Sequence, residues 1–141
     1  PKPDSPPQKK LEKLDLNACT LAQLVAIPGV RVYSAQKVIN YRNYLGGYVA
    51  LSQMYEAKGI DSATVIDLLP FCQLITPVRK LSVNLATIDE LQAHPYLSWK
   101  QANSIVKMRS QKGRFQQLEE IKESILIDPE TYEKVRAYLS L

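Results

Sequence analysis

Residues 17–48, NACTLAQLVAIPGVRVYSAQKVINYRNYLGGY, return in altered form at 84–115 as NLATIDELQAHPYLSWKQANSIVKMRSQKGRF. The offset of 67 holds beyond this stretch: residues 16–74 lie on 83–141 without a gap, with 14 identities in 59 pairs. Shared positions include Asn17 and Asn84, Thr20 and Thr87, Pro28 and Pro95, Arg42 and Arg109, Gly46 and Gly113, and Asp61 and Asp128. Self-similarity at a fixed period means one supersecondary unit used twice. Each copy can therefore be read against the other.

Each copy reads as four short helices. Thr20 with Gln23, and Thr87 with Glu90, have the spacing of capping boxes, which satisfy the orphan amides at a helix start. The first helix turns Leu21, Leu24 and Val25, then Ile88 and Leu91, inward, and Pro28 and Pro95 stop it. A longer helix follows at about 32–45 and 99–112. There Ala35, Val38, Ile39 and Arg42, matched by Ala102, Ile105, Val106 and Arg109, recur at helical spacing. Gly46 and Gly113 supply a C-terminal cap that needs positive φ. Tyr48 and Phe115, two residues on, are expected to fold back onto the core. A third short helix spans about 51–57 and 118–124. After a tight turn, Asp61 and Asp128 cap the last helix, with Pro129 suited to its first turn. Nothing reads as a strand, so the class is all-α.

The charges sit unevenly. Residues 1–14 hold four basic and two acidic side chains, and the connector adds Arg79 and Lys80 with no acid. The first repeat has four of each sign and the second eight of each, so the net +4 lies in the tail and the connector. High pI alone is weak support for a nucleic-acid partner. Within each copy, however, the front half is basic and the back half acidic. Arg31, Lys37 and Arg42 lead the first copy, and Lys100, Lys107, Arg109, Lys112 and Arg114 the second. No apolar run approaches a membrane span. The opening PKPDSPPQKK, without Met, reads as a soluble tether on a trimmed or processed segment, with a basic arm on DNA as the alternative for Lys2, Lys9, Lys10 and Lys13. Cys19 and Cys72 are too few for a structural zinc site and become Ala86 and Leu139 in the second copy. They read as small buried hydrophobes, a Cys19–Cys72 bridge being the alternative.

The turn Ile27-Pro28-Gly29-Val30 followed by Ala35, then Tyr41-Arg42, Gly46-Gly47-Tyr48 and a second turn Lys58-Gly59-Ile60, resembles the tandem helix-hairpin-helix domain of ComEA-type competence (DNA-uptake) proteins. Their pattern runs Asn-x-Ala, Leu, Pro-Gly-Ile-Gly, Ala, Ile, Tyr-Arg, Gly-x-Phe and a second Gly-Ile-Gly. The second copy supplies Asn84, Leu91, Pro95, Ala102, Arg109 and Gly113-Arg114-Phe115. The resemblance covers nearly all of the chain beyond residue 15. It implies a SAM-like, all-α fold of two helix-hairpin-helix units. The resulting organisation is a disordered Pro/Lys-rich tether at 1–14, a first repeat at 15–76, a basic connector at 77–82 and a second, degenerate repeat at 83–141.

In such a hairpin the hydrophobic residue plugs the gap between two helices, and the glycines bring bare backbone close to a phosphate. Amides at the next helix start then donate to phosphate oxygens, a contact that does not read sequence. Carried over, the resemblance implies double-stranded DNA as partner, held by its phosphate backbone through Gly29, Val30, Arg31, Ser34 and Lys37, then Lys58, Gly59 and Ile60, with Ser98 and Lys100 in the second copy. The family's second hairpin glycine is replaced by Arg31 in one turn and by Asp61, which would repel a phosphate, in the other. The second copy has lost the glycines at both turns, which read Tyr96-Leu97-Ser98 and Leu126-Ile127-Asp128. Lys100, Lys107, Lys112 and Arg114 are its remaining cations for side-chain contact.

Plainer roles compete at several residues. Arg42 and Arg109 read first as stems covering the core or as internal salt bridges, then as DNA contacts. Tyr33, Tyr41, Tyr44, Tyr48 and Tyr55 read as half-buried packing before a stacking platform for single strands. Trp99 reads equally as an exposed partner contact or a plug between repeats. His94 stands where the first copy has Ile27 and reads as a packed or capping residue rather than a catalyst. The expectation is a non-enzymatic duplex DNA-binding module, related to DNA uptake and located in the bacterial cell envelope. No cofactor, metal, small-molecule substrate or membrane contact is expected. The alternative is a protein-interaction scaffold in which DNA binding has been lost. Catalysis ranks last, because no nucleophile–base pair or metal cluster is present.

Overall fold

A computed structural model describes residues 12–141, so Lys2, Lys9 and Lys10 of the expected tether lie outside the described residues. The first copy runs β1 (Leu14–Asp15), α1 (Leu21–Val25), α2 (Val32–Leu45), a 3₁₀ helix at Leu51–Glu56, α3 (Ser62–Leu68), a 3₁₀ helix at Leu69–Phe71 and β2 (Cys72–Gln73). The second runs β3 (Leu81–Ser82), α4 (Ile88–Gln92), α5 (Trp99–Lys112), a 3₁₀ helix at Leu118–Glu123, α6 (Pro129–Val135), a 3₁₀ helix at Arg136–Tyr138 and β4 (Leu139–Ser140). Every element is displaced by the same 67 residues, so the repeat in sequence is a repeat in structure. The chain forms two compact units. One holds residues up to Tyr41 and Tyr48–Pro77, and the other holds Arg42–Gly47 and Val78–Leu141.

The helices form for the reasons the sequence supplies. Thr20 and Thr87 make capping boxes with Gln23 and Glu90. Asp61 and Asp128 accept from the amides of Thr64 and Thr131 at 3.3 and 2.7 Å. Gly46 and Gly113 follow the two long helices at φ +88° and +89°. The third helix of each copy is 3₁₀ rather than α, a difference its short length makes invisible to periodicity.

The expectation of no strands is corrected. Each unit closes with a parallel pair two residues long: Leu14 on Cys72 and Asp15 on Gln73, then Leu81 on Leu139 and Ser82 on Ser140. Two residues carry no alternation to read. Leu14, assigned to the tether, is thereby half-buried in the fold, and Leu81–Ser82, assigned to the connector, form a strand.

An Asn after each first strand ties these pairs to the helices. Asn17 Nδ2 donates to the carbonyls of Tyr48 and Thr76, both at 2.9 Å, and its Oδ1 accepts the Tyr48 amide at 2.7 Å. Asn84 does the same with Phe115 (3.1 and 2.7 Å) and with the Leu141 carbonyl at 3.1 Å. This fixes Tyr48 and Phe115, which are 1% and 0% exposed, as the aromatic centre of each core. Around them pack Leu24, Val38, Met54, Val65 and Leu68 in one unit, and Leu91, Ile105, Ile121, Val135 and Leu139 in the other. The Tyr48 hydroxyl keeps its polar atom satisfied by donating to the Val38 carbonyl at 2.7 Å.

Cys19 and Cys72 are free buried thiols, as expected of small hydrophobes. Burial, and then the neighbouring Cys19, push the Cys72 thiol up to about 11. Because the thiolate is the reactive form, Cys72 in the native protein is expected to resist an aromatic disulfide reagent at pH 8 and to react on addition of urea. Fast native labelling, followed by absorbance, would contradict the buried placement.

Candidate nucleic-acid interface

The first unit brings its two hairpin turns together. After α1 the chain turns at Pro28 and Gly29, with Gly29 at φ +86°, and the Val30 amide donates to the Ile27 carbonyl at 3.2 Å. The second turn passes through Gly59 at φ +90°. Gly29, Arg31 and Ser34 from the first turn and Gly59 and Asp61 from the second line one concavity of about 590 Å³. Side chains other than hydrogen are strained at both glycine positions.

The start of α2 faces this concavity, since Tyr33 and Ser34 also line it. The other α-helices among those described begin on a side-chain acceptor: Thr20, Asp61, Thr87, Ser98 and Asp128. α2 begins after Arg31, which has no acceptor to offer. Among the described residues no side chain caps its first-turn amides, and the positive end of a 14-residue helix dipole opens on the groove. That is an arrangement for an anion, and the Arg31 guanidinium stands beside it.

Two carboxylates oppose it. Asp61 is engaged with the Thr64 hydroxyl and amide, and these bonds hold its carboxyl below the usual range, with Arg31 adding a smaller pull. Asp67 was not expected at the site. A Cβ built on Gly29 would lie 3.0 Å from its Oδ2, so its carboxylate borders the first turn. In sequence it is only one position of α3, and nothing there places it against a turn 38 residues earlier.

The remaining candidate residues divide. Val30 is 7% exposed and Ile60 half-buried, so both act as plugs, with side chains withheld from any ligand. Lys37 lays its stem along Gly59 and its ammonium 5.0 Å over the Tyr33 ring. Lys58 is exposed at the second turn. Tyr33, Tyr44 and Tyr55 are 64%, 54% and 47% exposed, so the packing role expected for the tyrosines applies to buried Tyr48 and half-buried Tyr41, whose rings lie 6.3 Å apart, and not to these three.

The second unit keeps the shape and changes the chemistry. Leu97 and Ile127 are buried plugs at 4% and 3% exposure. Tyr96 fills the place of Gly29, and Lys134, which stands where Asp67 does, lies 4.8 Å over its ring. Ser98 caps α5 by accepting the Gln101 amide at 3.1 Å, while Gln101 Oε1 accepts the Ser98 amide at 2.9 Å. Two amides at this helix start, those of Ser98 and Gln101, are thus occupied. Arg109 does more than cover the core: its Nη1 donates to the carbonyls of Val83 and Ala86 at 3.0 and 2.9 Å, clamping the turn around Asn84. Lys112 is bridged to Glu120 and Glu123 at 2.9 and 3.1 Å. Lys100 is exposed and lines a different groove along α5. His94 is packed, 4.4 Å from the Tyr138 ring centre, and accepts the Tyr96 amide at 3.1 Å. Trp99 is 53% exposed.

The helix-hairpin-helix motif model matches residues 9–73 and again 77–140, nearly the whole chain in two copies. The chain belongs to the helix-hairpin-helix family. That membership accounts for the paired turns, the plugs and the glycines of the first unit. Among curated proteins the chain is similar to the endonuclease/exonuclease/phosphatase family domain-containing protein 1 of Xenopus laevis, 24% identical over 89% of this chain and 26% of the relative. The Danio rerio protein of that name is 23% identical over the same shares, and the human one 26% identical over 78% of this chain and 25% of the relative. The chain thus spans about a quarter of the length of these relatives. No solved structure matches it significantly.

Proposed function

We propose that the first unit binds double-stranded DNA by its phosphate backbone, independently of sequence and without catalysis. The observation that carries this reading is the uncapped α2 N-terminus opening, beside Arg31, on a groove lined by both hairpin glycines. A phosphate oxygen there would accept from first-turn amides while the glycines let the strand approach. Val30 and Ile60 serve the site by holding the turns, and Lys37 and Lys58 extend its charge. DNA uptake and an envelope location, implied by the ComEA-type resemblance, belong to this proposal and are tested by cell fractionation and transformation assays. The name shared by the relatives supports a second setting, in which such a module presents DNA to an endonuclease/exonuclease/phosphatase-type domain.

Fluorescence anisotropy with a labelled random-sequence duplex tests the binding. Wild-type protein is expected to bind with a steep inverse dependence on salt, and Arg31→Glu to weaken binding by about tenfold or more at low salt. Unchanged affinity in Arg31→Glu would remove the first unit from the interface. Asp67→Asn, which takes a negative charge from the groove wall at an exposed position, is expected to tighten binding about threefold and leave stability unchanged. Weaker binding in that variant would mean that Asp67 orders the Gly29 turn instead of opposing the phosphate.

A further inference from the structure

The second unit carries a face that duplex binding does not use. A groove of about 310 Å³ runs along α5, lined by Lys100, Asn103, Lys107 and Gln111 and closed at one side by Leu126. From residue 100 to residue 111 the helix rises roughly 16 Å, room for three turns of a facing helix. Among the described residues no carboxylate lines this groove, and neither Lys100 nor Lys107 takes part in an ion pair. Gln101 Nε2 donates to the Leu126 carbonyl at 3.0 Å, which pins the second turn against α5.

The second hairpin tip is apolar where that of the first unit is not: Ile125 and Leu126 occupy the places of Lys58 and Gly59. Trp99 stands where Val32 does and enlarges an exposed apolar position already present there. Ile125 is 95% exposed, Trp99 53% and Leu126 44%. Ile125 and Trp99 immediately precede two of the residues that line the groove. Exposed large apolar groups beside unpaired lysines mark a contact surface rather than a solvated one. A phosphate backbone has nothing to offer Ile125. The Ser98 capping box and the Tyr96–Lys134 stack also close the backbone grip that the first unit leaves open.

We propose that this face is a docking groove for an acidic amphipathic segment of a partner protein, which sets aliphatic or aromatic anchors against Leu126, Ile125 and Trp99 and carboxylates against Lys100 and Lys107. Such a segment reads as helix-in-groove recognition with charge complementarity. It uses no residue of the first unit's DNA groove.

Trp99, the chain's one Trp, reports on the site directly. The probes are a panel of synthetic peptides of about 14 residues with Glu along one helical face and Leu or Phe at i, i+4 spacing on the other. They are titrated into the full chain while Trp99 emission is followed. A saturable shift is expected with at least one peptide, weakened by about tenfold or more in Ile125→Asp and in Lys107→Glu and unchanged in Arg31→Glu. Both substituted side chains are exposed, and circular dichroism verifies the fold. Three results would overturn the proposal: no saturable shift with any peptide, equal binding by Ile125→Asp and Lys107→Glu, or a duplex DNA that shifts Trp99 in the Arg31→Glu protein as strongly as the best peptide. The last would assign the groove to nucleic acid.

Discussion

Asn84→Ala is expected to destabilise the second unit by about 3 kcal/mol, since three hydrogen bonds with a net value near 1 kcal/mol each are lost. The side chain joins the turn after β3 to Phe115, which centres the core, and to Leu141, which follows β4. Ala leaves the Phe115 amide and carbonyl without this partner in a part-buried setting, while the Leu141 carbonyl keeps the Ser82 hydroxyl, so the loss is one of unsatisfied groups as well as of bonds. A unit of this size has a total stability of roughly 4–10 kcal/mol, and the variant would surrender a large part of it. Asn17→Ala should do the same to the first unit, where Tyr48 and Thr76 are the partners. Urea unfolding followed by far-ultraviolet circular dichroism measures both. A loss under about 1 kcal/mol would mean that the strand pairs alone hold the turn.

These Asn residues show what the sequence could and could not reveal. Their identity in both copies marked them as required, yet the reason lies in partners 31 and 57–59 residues away. Helix positions were legible because capping and periodicity are local: α2 and α5 stand at 32–45 and 99–112 as read, and the boxes at Thr20 and Thr87 form. The strand pairs were not legible, because two residues have no period and their pairing closes across a whole repeat. The same divide runs through the site. Gly29 and Gly59 announce turns wherever they occur, but that the turns share one groove is a tertiary fact.

Asp67 beside Gly29, and Lys134 over Tyr96, are likewise invisible singly, although the pairwise exchange is plain once the copies are laid together. Arg109 refined a structural reading: expected first as a stem over the core or an internal salt bridge, it is a backbone clamp in the second unit. The Asn and the buried plugs recur in both units, while the turn residues between them change chemistry. The first unit retains an opening for an anion, and the second has exchanged it for apolar tips beside lysines.

Acidification should destabilise the protein well before its carboxylates titrate. His94 is 5% exposed, and burial pushes its imidazole down to about 4, with the Arg79 charge adding to the fall. Nδ1 accepts the Tyr96 amide, so the neutral ring carries its proton on Nε2, a buried nitrogen with no hydrogen-bond partner among the described residues. Protonation would strip the Tyr96 amide of its acceptor and leave a charge among Tyr96 and Tyr138. The unfolded chain takes up a proton near 6.5, whereas the folded protein resists until about 4. The contribution of His94 is therefore fully present above pH 6.5 and fades as pH falls toward 4, by about 2 kcal/mol at pH 5 and about 3 kcal/mol in all. The carboxylates held low by their hydrogen bonds, Asp15, Asp61, Glu120 and Asp128, act only below their ordinary range near 4. His94 is the chain's only histidine, so the interval between pH 6.5 and 5 belongs to it. The repeat itself supplies the control, because Ile27 fills the equivalent place and is 6% exposed. Urea midpoints at pH 7 and pH 5 should fall for the wild-type protein and stay level for His94→Ile. A parallel fall in both would assign the acid sensitivity elsewhere.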